Sequence, residues 1–221
     1  SASNAVLDVL LQLGVVGRLG RGAQERVERA RGSAAVQLFD GAERAQGAGA
    51  LVLYPGFAGA ICVPGTNSRA SQISAGEVVS FQTFMTGEMF SLLSSQSVLR
   101  HGMAGAAWDD AAFDTGVAEG MSRPERLAAN LFRLRAEGPL DGLTADAARA
   151  RLSGLLIGAE LSASRAYWLG ARAALIGSPA LTGLYARALT AQGVAPEVLT
   201  AQDCTIAGLA FAAGALTKAH Q

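Results

Sequence analysis

The sequence predicts an α/β fold in which a mixed five-stranded sheet, entered through an antiparallel meander, is flanked by helices. Three observations predict it. Residues 59–86 carry short apolar and β-branched runs separated by tight turns at Pro64-Gly65 and Ser74-Ala75-Gly76, the pattern of consecutive hairpin strands. Two later runs, 173–177 and 197–200, each lead into a helical pattern, which is how parallel strands are joined. Between the two groups lies a long helix rich in small residues, capped at Thr144-Ala145-Asp146 and expected to reach about residue 169.

Composition narrows the function classes. At 221 residues the chain can bury one substantial core and a small second lobe. Half of it is hydrophobic and only 16% is charged, a soluble, helix-rich composition. The formal net charge of zero gives no reason to expect a nucleic-acid partner or a membrane surface. Lys218 is the only lysine and is followed by Ala219, so the Gly-Lys-Ser/Thr of a P-loop does not occur. Cys62 and Cys204 sit in apolar contexts and read as reduced thiols of a cytoplasmic protein. His101 and His220 are too few for a zinc site or a Ser-His-Asp triad.

Taken in order, residues 6–16 form a dense apolar helix pattern, too short and interrupted to cross a bilayer. An apolar helix with little domain to cover it points to a homodimer. Residues 18–31 are basic, either an anion patch or a solvated helix with pairs such as Glu25–Arg29. Residues 51–57 read as a strand-like run closed by Pro55-Gly56. Residues 60–63, 69–76 and 78–86 are the meander strands, after which Thr86-Gly87-Glu88 stops the last one and Met89, Phe90, Leu92 and Leu93 begin an amphipathic helix. Helices follow over 109–120 and 124–137, the second opened by Ser122-Arg123-Pro124-Glu125. Asp109, Asp110 and Asp114 form an acidic cluster, better read as solvated helix acids than as a metal site. His101, in a loop, reads as an exposed or capping residue, with substrate contact as the alternative. Gly154 and Gly158 in the long helix permit a neighbouring backbone to come close.

The most informative stretch is 60–94. Behind the Pro64-Gly65 turn stand Thr66, Asn67, Ser68 and Arg69. A Gly-led turn with such donors suits a phosphate, although the same residues also suit a plain hairpin. Gly177-Ser178-Pro179 repeats the theme, because a strand–Gly–helix junction leaves N–H donors at a positive helix end.

Pro64-Gly65-Thr66-Asn67-Ser68-Arg69 followed by Phe81-Gln82-Thr83-Phe84-Met85-Thr86-Gly87-Glu88 resembles the 2-dehydro-3-deoxygalactonokinase family, sugar-acid kinases of the actin/hexokinase/heat-shock ATPase superfamily. The segments Leu152-Ser153-Gly154-Leu155-Leu156-Ile157-Gly158-Ala159-Glu160-Leu161 and Leu175-Ile176-Gly177-Ser178-Pro179-Ala180-Leu181-Thr182 resemble it too, in the same order, so the likeness runs from Gly41 to the C-terminus. The resemblance implies a ribonuclease H-like (actin-like ATPase) lobe over 59–221 and a remnant or atypical, incomplete N-terminal lobe over 1–58. It implies an ATP- and Mg2+-dependent kinase that phosphorylates 2-dehydro-3-deoxy-D-galactonate at its 6-hydroxyl in galactonate catabolism.

On that resemblance Gly65, Thr66, Asn67 and Ser68 hold the terminal phosphates. Arg69 supplies charge where the family usually has lysine, and Asn67 replaces the usual histidine. Gly177 and Ser178 approach the nucleotide, Thr86, Gly87 and Glu88 line the substrate cleft, and Glu43 is the candidate catalytic base. No residue is assigned to the metal. The chain also departs from the family. Gly41 and Arg44 stand where an arginine and a glutamate flank the sugar acid, and nothing in residues 1–40 matches the superfamily's Asp-x-Gly-Ser/Thr hairpin, whose aspartate helps hold the magnesium nucleotide. The alternative expectation is therefore a catalytically impaired nucleotide-binding or regulatory relative.

Overall fold

A computed structural model of the protein describes residues 41–105 and 107–209, with side chains from Ala45 onward. The apolar stretch 6–16, the basic stretch 18–31 and residues 210–221 lie outside the described residues.

Helix α1 (Gly41–Leu53) comes first. It corrects the strand expected over 51–57. Ala45, Gly49 and Ala50 are buried at helical spacing, and Pro55-Gly56, with Gly56 at φ +84°, turns the chain out of a helix and not out of a strand. The sheet follows, with β1 (Gly59–Val63), β2 (Ser68–Ser74), β3 (Glu77–Phe84), β4 (Ala173–Gly177) and β5 (Glu197–Thr200) in the spatial order β3-β2-β1-β4-β5. The first three pair antiparallel, while β1–β4 and β4–β5 are parallel, giving the mixed sheet with a leading meander that the sequence predicts. Ala75 (φ +51°) and Gly76 (φ +77°) both take left-handed backbone in the two-residue β2–β3 loop, the twist-matched way to close a hairpin.

Strand alternation divides the core. Ala60 of β1 and Leu175 of β4 face one layer with Phe113, Val117, Ile157, Tyr185 and Leu189. Ile61, Val63, Ala174 and Ile176 face the other, with Ile73, Leu199, Ala50 and Cys204. The two central strands are thus buried on both faces, which explains their continuous apolar wording. β3 is an edge strand, largely exposed, and Val79 stands open to solvent.

Further helices among the described residues flank the sheet. They are α2 (Thr86–Ser95), α3 (Asp110–Ser122), α4 (Leu127–Asp141), α5 (Ala145–Ala163), α6 (Arg165–Trp168) and α7 (Pro179–Thr190), and residues 201–209 are helical as well. Asp109 caps α3 by accepting from the Ala112 N–H at 2.9 Å, and Thr144 caps α5 by accepting from the Ala147 N–H at 3.2 Å. The acidic cluster is therefore structural. Asp109 is a cap, and Asp110 and Asp114 pair with Arg187 of α7 at 3.1 and 2.6 Å.

The helix expected to reach residue 169 breaks at Ser164. Its hydroxyl donates back to the Glu160 carbonyl at 2.9 Å, and Trp168 folds over to donate to the Leu161 carbonyl at 3.0 Å. The small residues of α5 act as the sequence predicts. A Cβ at Gly154 would lie 2.2 Å from the Phe113 carbonyl oxygen, and one at Gly116 would lie 2.4 Å from that of Arg151. The α3 and α5 backbones therefore touch with no room for a methyl group on either side.

Candidate functional site

β1 and β4 are parallel neighbours, so their C-terminal ends emerge side by side, and each is followed at once by a Gly-containing turn. A Cβ at Gly177 would sit 3.3 Å from the Pro64 carbonyl oxygen, so the two turns are in contact. α2 closes on them from the meander side. A Cβ at Gly87 would lie 2.2 Å from the Gly65 carbonyl oxygen and 2.9 Å from the Thr66 Cα, and the Glu88 N–H donates to the Thr66 carbonyl at 2.8 Å. Residues 64–67, 86–88 and 177–179, separated widely in sequence, thus form one edge.

Two helices begin at that edge. α7 starts with Ser178 at its N-cap and Pro179 in the first turn, and Ser178 makes no side-chain cap bond. α2 starts at Thr86, likewise without a side-chain cap. Helix starts direct N–H groups and partial positive charge outward, so an anion set between them meets backbone donors from two directions. Thr66, Asn67 and Ser178 are exposed there. In this structure Thr86, Gly87 and Glu88 do not end a strand. They form the first turn of α2, which is why they reach the Gly65-Thr66 turn.

Two expectations need correcting. Ser68 and Arg69 do not belong to the turn but open β2, and both are buried, at 0% and 7% exposure. Ser68 donates its hydroxyl to Glu160 Oε2 at 2.5 Å, so that hydroxyl is directed inward and not toward a phosphate. Arg69 donates from Nε to Thr83 Oγ1 at 3.0 Å and lies over the Phe81 ring at 5.9 Å, engaged within the sheet. Glu43 falls in α1, and its side chain lies outside the described residues. His101 is exposed at the end of a short 3-10 turn, Val98–Gly102, away from these contacts.

Beneath the edge lies a residue to which the sequence reading gave no role. Glu160 of α5 is 4% exposed and receives the Ser68 hydroxyl at 2.5 Å and the Tyr185 hydroxyl at 2.7 Å, both on Oε2. Its Oε1 has no hydrogen-bond partner among the described residues. Burial pushes its carboxyl above the ordinary carboxylate range, while the hydroxyls of Ser68, Thr86 and Tyr185 pull it back. Burial, and then the Glu160 charge, raises Cys62 and Tyr185 well above their ordinary values. Burying a carboxylate costs several kcal/mol, and hydrogen bonds to a charge return about 1.5–3 kcal/mol each. Two such bonds offset only part of the burial. The signal in the sequence was a lone carboxylate inside an otherwise apolar Leu152–Leu161 run, where solvation cannot explain it.

Comparison with known proteins gives the family of the chain as a whole. The family model described as 2-keto-3-deoxy-galactonokinase matches residues 29–212. A Rhizobium meliloti (strain 1021) protein named "Probable 2-dehydro-3-deoxygalactonokinase DgoK1" is 37% identical over 163 residues, 71% of this chain and 52% of the relative. The 2-dehydro-3-deoxygalactonokinase of Escherichia coli (strain K12) is 34% identical over 181 residues, 80% of this chain and 58% of the relative. A crystal structure from Sinorhizobium meliloti, described as that of a 2-dehydro-3-deoxygalactonokinase protein, superposes with a TM-score of 0.74 at 35% identity, covering 79% of this chain and 59% of the other. The chain spans little more than half the length of the curated relatives it matches.

Proposed function

The chain belongs to the 2-keto-3-deoxy-galactonokinase family, and from that premise we propose that it carries the nucleotide-holding part of an ATP-dependent kinase acting on the 6-hydroxyl of 2-dehydro-3-deoxy-D-galactonate. On this reading the sheet is the ribonuclease H-like lobe of an actin-like ATPase. The observation that carries the proposal is the convergence at one sheet edge of the 64–67 turn, the Gly177-Ser178 junction and the first turn of α2.

Phosphoryl transfer asks a protein mainly for positioning and charge stabilisation. When bound, ATP supplies the phosphoryl group. The chain's own residues supply the cradle. Gly65 and Gly177 leave the backbone bare where the phosphates come closest, and the first turns of α2 and, beyond Pro179, of α7 present N–H groups. Thr66, Asn67 and Ser178 add side-chain donors from the exposed rim, and Gly87 and Glu88 border the substrate side. The donor set fits an anion. It does not make a protein-borne magnesium cage, since no group of three or more His, Cys, Asp or Glu side chains stands together among the described residues. No step is assigned to the metal. Among the described residues no helix is long and apolar enough to cross a membrane.

A second reading, nucleotide binding without turnover, is supported by the inward engagement of Ser68 and Arg69 and by Gly41 and Arg44 in the sugar-acid segment. Titration calorimetry with magnesium–ATP, followed by a coupled ADP-release assay with 2-dehydro-3-deoxygalactonate, separates the two. Binding with turnover supports the kinase, binding alone supports the second reading, and no binding overturns both.

A further inference from the structure

We propose that Glu160 is a positioning residue for the phosphate-facing edge, its carboxyl holding the start of β2 and the helix α7 in register beside the 64–67 turn. The proposal rests on the nucleotide-binding reading of that edge. Three elements meet at this group through hydrogen bonds. α5 carries it, Ser68 is the first residue of β2 directly after the turn, and Tyr185 lies about two turns into α7. Cys62, from the last turn-ward residues of β1, feels its charge. The strand that leaves the 64–67 turn and the helix that follows the Ser178 junction are thus joined through one buried side chain.

A purely structural role would be better filled by an apolar residue. α5 packs Leu152, Leu155, Leu156, Ile157 and Leu161 into its surroundings, and a buried carboxyl that leaves Oε1 unpartnered among the described residues is less stable than a leucine of similar volume. What a leucine cannot do is accept two hydroxyls on one oxygen. Those two bonds fix the lateral distance between β2 and α7, and hence the spacing between the 64–67 turn and the Ser178 junction, across which an anion would be held. The groups that face Glu160 from these elements are Cys62, Ser68, Thr86 and Tyr185, and of these only the thiol and the phenol titrate, both far above neutrality. Any pH dependence of the spacing near or below neutrality therefore comes from Glu160 itself.

The test uses the full chain, with E160Q, S68A and Y185F beside the wild type. Two quantities are measured: the Kd for magnesium–ATP across pH 5 to 8, and amide hydrogen exchange of the Glu88 N–H without nucleotide. E160Q is expected to weaken ATP binding about tenfold, to flatten the pH dependence of Kd, and to speed exchange at Glu88. S68A and Y185F, each removing one donor, are expected to give smaller losses in the same direction. If E160Q does not fold, the two single-donor variants carry the test. Wild-type Kd, pH profile and exchange in the folded variants would overturn the proposal. If the wild type binds no nucleotide, the function fails. The exchange measurement still decides whether Glu160 positions the edge, since unchanged Glu88 protection refutes it and lost protection supports it.

Discussion

Gly87→Ala tests the edge most directly. A methyl group there would stand 2.2 Å from the Gly65 carbonyl oxygen and 2.9 Å from the Thr66 Cα, both backbone atoms that cannot rotate aside. Relief requires α2 and the turn to separate by about 1 Å, because interiors hold no slack at van der Waals contact. Separation also stretches the Glu88 N–H bond to the Thr66 carbonyl, now 2.8 Å. Overpacking of this kind costs about 1–3 kcal/mol and the lost bond about 1 kcal/mol, while alanine in a helix recovers up to about 1 kcal/mol relative to glycine. α2 has no fully buried residue, so it shifts without tearing the core, and the cost to global stability stays at the low end. The expected Tm loss is at most about 5 °C. Binding is affected more strongly, since displacing preorganised donors by about 1 Å loses about ten- to a hundredfold in productive affinity. The assay is magnesium–ATP titration beside a thermal melt. Gly183→Ala serves as the control, because the added methyl on α7 meets nothing within 4 Å. Wild-type ATP affinity in Gly87→Ala, with the fold intact, would refute the assignment of this edge.

The control is itself a prediction, as Gly183→Ala should raise stability by about 0.5–1 kcal/mol in urea unfolding and leave nucleotide binding unchanged. Gly154→Ala places a methyl 2.2 Å from the Phe113 carbonyl oxygen between two buried helices and should lose about 1–3 kcal/mol or more in the same assay, with no change in KM once folded. Arg151→Met removes the mostly buried centre of a network in which Arg151 holds Glu119 at 2.8 Å and Glu137 at 2.5 Å, and should cost about 2 kcal/mol; an unchanged urea midpoint would show the network to be inert. For pH, the folded state binds the Glu160 proton more tightly than the unfolded chain, so stability falls as pH rises from about 4.3 to the raised folded value and is flat outside that window. Glu160→Gln should abolish that slope. Asp114 has the opposite sign, since its Arg187 bond lowers its folded value, so its contribution is present above about pH 4 and is lost as pH falls through that lowered value; Asp114→Asn should flatten the acid limb.

The strands were legible because their signals are local. Pro64-Gly65, Ser74-Ala75-Gly76 and Gly177-Ser178-Pro179 mark turns by backbone chemistry that any context must respect, and the mixed sheet with its leading antiparallel meander followed from the order of elements. Gly154 and Gly158 were read correctly for the same reason, since a glycine in a helix interior is costly unless another backbone comes close. The errors share a cause as well. Leu51-Val52-Leu53 is as apolar as a strand, and only the burial of Ala45, Gly49 and Ala50 at helical spacing, with Gly49 against the Cys204 backbone, reveals a helix. Ser68 and Arg69 follow a turn directly, and sequence proximity placed their side chains in it; the register Val63↔Arg69 instead makes them strand residues from their first atom.

Glu160 shows why the site as a whole exceeds what one-dimensional reading reaches. Each turn can be recognised where it stands, but their shared edge exists only because β1 and β4, 113 positions apart in register, run parallel and end together. A parallel pair requires a crossover, and the crossover here contains α3, α4 and α5, so the helix that closes the connection necessarily passes close to the strands it joins. A side chain on that helix can therefore touch both the strand before the crossover's turn and the helix after it. Glu160 does so through Ser68 and Tyr185, 92 residues to one side and 25 to the other. The same topology that brings the two turns together places Glu160 between the strand after one turn and the helix after the other, a carboxylate inside an otherwise apolar stretch of α5.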